Sequence, residues 1–436
     1  MDKVIALIGM TLLWSFEAMD ARQGALRKPP RGPVGVEGRA VRDADGPFNA
    51  LGSTLFWGAW GYKSDRARLE RNLQALSRTG VDYVRVLGSV GGASWADRET
   101  DPRWGDYDAV IAGLTDLTYD RYGMRVQWTL FGGAASTPPG PARESLVDRY
   151  AKMARGREHK IFAFEIANEA RSNGFRGPEG IAELRKLGKR LNDQTSVLVA
   201  LSDPSTGAAC ETYAGSGVDA ATLHYQRSFG AEGPIRPLRR PWDYPSAFDA
   251  KCRGELPPVV FNNEPIGPES SVRQDDSPSR IAAAYVMTFL ANNAAYVFHS
   301  GPGIRGGGAA DVSGTLRRHA HFDELPSFTP ITAALSAARA YLPPGLANWT
   351  RHGPTSATAP MQGFERAYAA SSGSDFVVLV VGIDKPITLR ARRGSSVEIR
   401  SASTGKSIRR ANLASGEALP LSGEDAFVLI GRSESP

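Results

Sequence analysis

Two Asn-Glu pairs carry the chemistry this sequence could perform. One is Asn168-Glu169 in the run FEIANEA, residues 164–170; the other is Asn263-Glu264 in the run FNNEP, residues 261–265. Each glutamate follows an apolar run of strand type and lies where such a strand should end. A strand end holds a carboxylate still and leaves its oxygens open to a ligand. Two carboxylates facing one another can cleave an acetal with retention of configuration. One acts as acid/base and the other as nucleophile, roughly 5–5.5 Å apart. Segments this distant in sequence come that close only if the sheet curls round on itself, as a barrel does.

The elements that would position the pair are visible along the chain. Apolar strand-like runs occur at 51–57, 82–88, 124–131, 160–168, 196–201, 219–225, 258–263 and 294–299. Between them lie segments with apolar residues at helical spacing: 64–80, which opens on an Asp cap signal and ends in glycine, then 141–156, 178–193, the more apolar 278–293, and 331–342. Strand and helix alternating on this scale predict an α/β fold, a (β/α)8 barrel over 46–345. An open doubly wound sheet is the competing architecture, but no glycine-rich nucleotide loop follows the first strand. Residues 22–45 read as a linker and a short N-terminal hairpin (Val34–Arg42). After Trp349 only short apolar alternations with turns between them remain, which predicts a small C-terminal antiparallel β-sandwich over 346–436.

Composition narrows the partners. Hydrophobic residues make up 42% and charged residues 22%, ordinary for a globular chain, and 52 basic against 46 acidic residues leave a net charge of +6. So small an imbalance gives no footing for nucleic acid, although it would not repel an anionic polysaccharide. Lys3 followed by an apolar run to about Phe16 reads as a signal peptide over 1–21 and predicts a secreted or periplasmic protein, with no stable membrane insertion after cleavage. A short membrane anchor is the alternative. Cys210 and Cys252 lack metal-ligand spacing, and two thiols cannot complete a four-ligand zinc site. One disulfide and two separate thiols both remain open. There is no G-x-S-x-G elbow and no H-E-x-x-H, so no other catalytic constellation suggests itself, and a two-carboxylate mechanism needs no metal or cofactor.

The segment FEIANEA resembles the F-E-x-x-N-E-P signature of glycoside hydrolase family 5, and the wider pattern resembles the retaining hydrolases of clan A. The resemblance spans most of 34–345. It implies Glu169 as acid/base, Glu264 as nucleophile, and Asn168 as a ligand of the sugar 2-hydroxyl. Arg85, at the end of the second strand, matches the clan's arginine, whose charge keeps the nucleophile ionised. His224 and Tyr225 match the strand-six histidine and aromatic hydroxyl. Several positions depart from the family. Ala170 replaces the proline, Gln226 stands where a tyrosine is expected, LFGG (130–133) lacks the histidine after strand three, and His299 ends strand eight in place of a tryptophan platform.

Each position has a structural reading beside the functional one. Arg85, His224 and His299 could be satisfied core residues, and an Asn-Glu pair can be a helix cap or a turn. Glu165 shares parity with Glu169 and is expected as a buried, hydrogen-bonded structural carboxylate. Trp57, Trp60, Trp95, Trp104, Trp128 and Trp242 fall near loops and strand ends. Trp57 and Trp128 are the two expected to line a sugar cleft. The glycine run 306–308 reads as a mobile rim loop. The sequence predicts a retaining glycosidase acting on a polysaccharide or oligosaccharide. A transglycosylase with the same site, or a non-catalytic glycan-binding protein on a barrel scaffold, are the alternatives.

Overall fold

The computed structural model describes residues 28–134, 136–204, 209–224, 257–270, 274–307, 319–382 and 385–434. The signal-peptide segment, Tyr225, Gln226, Trp242 and Cys252 lie outside them. Three short antiparallel strands come first: β1 (Gly35–Glu37), β2 (Ala40–Asp43) and β3 (Gly46–Phe48). The expected hairpin is thus extended by a third strand. Eight parallel strands follow: β4 (Ala50–Thr54), β5 (Tyr83–Leu87), β6 (Arg125–Phe131), β7 (Ile161–Ala167), β8 (Val199–Pro204), β9 (Ala220–His224), β10 (Val259–Asn262) and β11 (Ala295–Phe298). They close in sequence order, β11 pairing back onto β4, as a (β/α)8 barrel.

The helices lie outside the barrel because their apolar stripes need the outward-facing strand residues as a partner. They include α1 (Gly58–Ser64), α2 (Arg66–Arg78), α3 (Tyr107–Asp120), α4 (Pro141–Ala154), α5 (Gly177–Asn192), α6 (Ala209–Tyr213), α7 (Pro278–Leu290), α8 (Gly301–Ile304) and α9 (Phe328–Tyr341). The cap signal read at the start of α2 is realised: the Asp65 side chain accepts from the Arg68 backbone N–H at 3.1 Å. Helix α3 was not singled out in the sequence, since its apolar stripe is diluted by buried threonines and tyrosines. Among the described residues no helix is long and apolar enough to cross a membrane.

Inside the barrel, one end is apolar and the other polar. At the N-terminal end Tyr83 stacks on Phe162 with ring centroids 3.8 Å apart, and Phe261 packs beside them at 5.4 Å. Gly52 makes this possible, because a Cβ there would sit 2.4 Å from the Tyr83 ring. Val34 and Val41 of the N-terminal segment join the same cluster and stopper that end. Toward the C-terminal end the inward residues become Arg85, Gln127, Thr129, Glu165, Ser202, Thr222 and His224, all buried. A polar interior at the C-terminal mouth is where such barrels place their chemistry.

Beyond Trp349 two antiparallel sheets face each other. One holds β12 (Thr350–His352), β14 (Ala367–Ser372), β15 (Asp375–Val381), β20 (Ala426–Ser433), β17 (Ser395–Ser401) and β18 (Ser407–Leu413) in that order. The other holds β13 (Met361–Gln362), β16 (Ile387–Ala391) and β19 (Ala418–Leu421). Strand β15 explains the packing. Phe376, Val378 and Val380 point into the core between the two sheets. Val377, Leu379 and Val381 point the other way and join the core of the barrel layer, against α7. A strand buried on both faces reads as an unbroken apolar run, as DFVVLVV does. Helix α7 is apolar nearly all round for the same reason, being covered by the barrel and by this sheet.

Candidate active site

Arg85 organises the mouth of the barrel. It sits on β5 with no exposed surface. Its Nε donates to Glu165 Oε2, its Nη1 to Glu264 Oε1 and its Nη2 to Asn168 Oδ1, each at 2.8 Å. Burial works against its charge, but the carboxylates of Glu165 and Glu264 outweigh that, and its pKa lies above the usual arginine value. The planar guanidinium fork turns separate nitrogens to three side chains, a spread that the single nitrogen of an ammonium lacks.

Glu169 follows β7 in a left-handed backbone conformation, φ +42°, uncommon for a residue with a side chain. Such a conformation costs about 1–3 kcal/mol and persists only where surrounding contacts enforce it. Here the Glu169 N–H donates to Ser202 Oγ at 3.1 Å, and its carbonyl accepts from the N–H groups of Ser172 and Asn173. Asn173 Nδ2 also donates to the Asn168 carbonyl at 2.6 Å. The turn is therefore pinned on both sides. It leaves the Glu169 side chain about a third exposed, while Glu264 is almost fully buried.

His224, at the end of β9, stands between the two. Its Nδ1 lies 3.3 Å from Glu169 Oε1 and 3.4 Å from Glu264 Oε2. One oxygen from each glutamate and a ring nitrogen of His224 all lie within 4.8 Å of one another. These three side chains have the donor set to hold a divalent cation. However, the Arg85 guanidinium already supplies a cation to Glu264 at 2.8 Å, which disfavours a second one there.

His299 closes the ring of inward residues, its Nδ1 bonded to Thr54 Oγ1 at 2.9 Å. Between His299 and Arg85 lies Phe56, edge-on to the imidazole at 5.9 Å and facing the guanidinium at 5.1 Å. Phe56 was not singled out in the sequence. Strand parity was the available signal: Thr54 faces inward, so Phe56 does too.

The same parity overturns the two tryptophans expected in the cleft. Trp57 has no exposed surface; its Nε1 donates to the Pro302 carbonyl at 2.7 Å, and its ring packs on Trp60. Trp128 is equally buried, between β6 and the helices, bonded to Thr115 Oγ1 at 3.0 Å and packed on Tyr150. Both are core residues, because they alternate with the inward positions Phe56, Gln127 and Thr129. Trp95 is instead the partly exposed indole at the rim, packed on Phe56, Leu87, Val90 and Ile304. The glycine run is tied down where it is described: the Gly306 carbonyl accepts from Arg68 Nη1 at 3.1 Å and Arg98 Nη2 at 3.3 Å. Tyr225 lies outside the described residues, as does Cys252; Cys210 is disulfide-bonded.

No protein-family model matches this chain, and no curated protein matches it. Solved structures do. A glycoside hydrolase aligns with 94% of this chain and 99% of its own, with a TM-score of 0.66 and 14% identity. A glycoside hydrolase of family 5 from Bacteroides vulgatus ATCC 8482 aligns with 94% of this chain and 95% of its own, with a TM-score of 0.66 and 15% identity. Each alignment runs through the C-terminal sheets as well as the barrel. In fold, barrel and C-terminal sheets together, this chain is similar to glycoside hydrolases, one of family 5 among them.

Proposed function

We propose that this protein is a retaining β-glycoside hydrolase acting on a polysaccharide or oligosaccharide, with Glu264 as nucleophile and Glu169 as acid/base. The observation that carries this reading is the approach of the two carboxylates, within 4.8 Å at their nearest oxygens, at the polar mouth of the barrel. So close an approach of one oxygen from each is compatible with the roughly 5–5.5 Å between carboxyl groups of a retaining pair, where an inverting pair stands roughly 6.5–9.5 Å apart to admit a water. The roles follow from the surroundings. Glu264 is buried and bound to Arg85, which keeps it ionised and aimed. Glu169 is the more exposed, as a group must be that first protonates a departing sugar and then activates water.

In the first step a Glu264 oxygen bonds to the anomeric carbon while the glycosidic bond breaks and Glu169 gives its proton to the leaving oxygen. In the second, water attacks the same carbon, Glu169 takes a proton from it, and the bonding pair returns to Glu264. In this reading Asn168, held by Arg85, binds the 2-hydroxyl, and His224 and His299 contact the sugar in the adjoining subsite.

The test uses wild type, Glu169→Ala and Glu264→Ala on β-glucans, β-mannans, xylans and aryl β-glycosides. Loss of hydrolysis in both variants, with azide restoring turnover of Glu264→Ala as an α-glycosyl azide, is the expected result. A Glu264→Ala variant that still hydrolyses the wild-type substrate would remove the proposal.

A further inference from the structure

Glu165 is a carboxylate the mechanism above does not use, yet five side chains bond to it. It has no exposed surface. Its Oε2 accepts from Arg85 Nε at 2.8 Å, from Thr129 Oγ1 at 2.5 Å and from Gln127 Nε2 at 3.5 Å. Its Oε1 accepts from Thr222 Oγ1 at 2.6 Å and Asn263 Nδ2 at 3.1 Å. Each of these partners carries a donor group, the single Thr222 hydroxyl proton being shared with the Leu201 carbonyl at 2.8 Å. One buried cation, Arg85, is thus shared by two carboxylates on opposite sides, Glu165 and Glu264.

The consequence appears when the reaction is followed by charge. Glycosylation turns Glu264 from an anion into a neutral ester. If Arg85 had only Glu264 for a partner, that step would leave a fully buried guanidinium with no counter-charge, which is strongly unfavourable. Glu165 takes no part in that step and keeps its contact with Arg85. Resting on the reading of Glu264 as nucleophile, we infer that Glu165 is a positioning residue for the glycosyl-enzyme. It acts through Arg85, keeping that cation paired while Glu264 is esterified. Glu165 thereby stabilises the first transition state and the intermediate relative to the free enzyme. In the second step it restrains expulsion of Glu264, because Arg85 is already satisfied.

This role splits the two kinetic constants. In Glu165→Gln, Arg85 pairs with Glu264 alone, so forming the ester becomes harder and releasing it easier. For 2,4-dinitrophenyl β-glycosides, whose leaving group makes the second step limiting, kcat/KM should fall roughly 10- to 100-fold. Over the same substrates kcat should hold or rise, and the pre-steady-state burst of dinitrophenol should disappear. Thr222→Val removes a hydrogen bond to Glu165 without touching the charge, and it should leave the burst in place. A burst that survives in Glu165→Gln, with kcat and kcat/KM falling together, would overturn the inference and leave the assignment of Glu264 standing.

A second measurement needs no substrate. Glu264→Gln mimics the neutral ester. Either single change, Glu165→Gln or Glu264→Gln, leaves Arg85 one carboxylate. The double variant leaves it none. The drop in Tm of the double variant should therefore exceed the sum of the two single drops by a clear margin. Additive drops would refute the sharing of Arg85. Non-additive drops in a protein that cleaves no glycoside would uphold the shared cation and defeat the proposed function instead.

Discussion

At the scale of single residues, the site is a matter of which side chain reaches which. Arg85 touches Glu165, Asn168 and Glu264 with separate nitrogens of one planar group. A lysine in its place keeps the charge but gathers its donors on one nitrogen and loses the spread of the fork. Arg85→Lys should therefore lower kcat/KM for aryl β-glycosides by about 100-fold while circular dichroism stays that of the wild type. Full activity in that variant would show that charge alone suffices and that the fork is unimportant. The two glutamates were legible in the sequence, because an Asn-Glu pair at the end of an apolar run is a compact local signal repeated at a second strand. The left-handed turn at Glu169 was not. Its supports, Ser202 and Asn173, come from another strand and from the following loop, and neither carries a motif.

At the scale of elements, the eight barrel strands were legible to within a few residues, since strands buried on both faces read as apolar runs bounded by turns. Which side of each strand a residue occupies was harder. Trp128 illustrates this: its size and position at a strand's C-terminal half suit a sugar platform, but its parity sends it outward to Thr115 and Tyr150. Trp128→Phe removes that hydrogen bond and leaves a small void, so it should cost about 1–3 kcal/mol of stability in chemical denaturation. KM should not change. A variant with wild-type stability and a raised KM would return Trp128 to the cleft. The bulge between β6 and β7, where the register shifts at Val126/Gln127, shows why parity is fragile evidence. One extra residue reverses the facing of everything beyond it.

At the scale of the whole molecule, the C-terminal sheets are built into the barrel's core. One face of β14, β15 and β20 supplies Tyr368, Ala370, Val377, Leu379, Val381, Ala426 and Val428 to the same apolar cluster as α7 and α9. Removing residues 350–436 would uncover that face of α7, a patch of the kind that drives aggregation in an isolated chain. Truncation after Trp349 should therefore yield insoluble or molten protein, and calorimetry of the full chain should show a single transition. A soluble truncated barrel with native near-UV dichroism would refute this coupling.

The sequence by itself determined the barrel, the order of its strands and the two glutamates at their ends. Apolar periodicity, caps and turns are local properties, each written within a dozen residues or so. Only the tertiary structure decided that Arg85 lies between two carboxylates, that His224 stands between Glu169 and Glu264, and that Phe56 rather than Trp57 faces the mouth. Those facts depend on how strands far apart in the chain are rotated and staggered against one another in a closed sheet. That stagger is set by the packing of the whole barrel, not by any one segment of it.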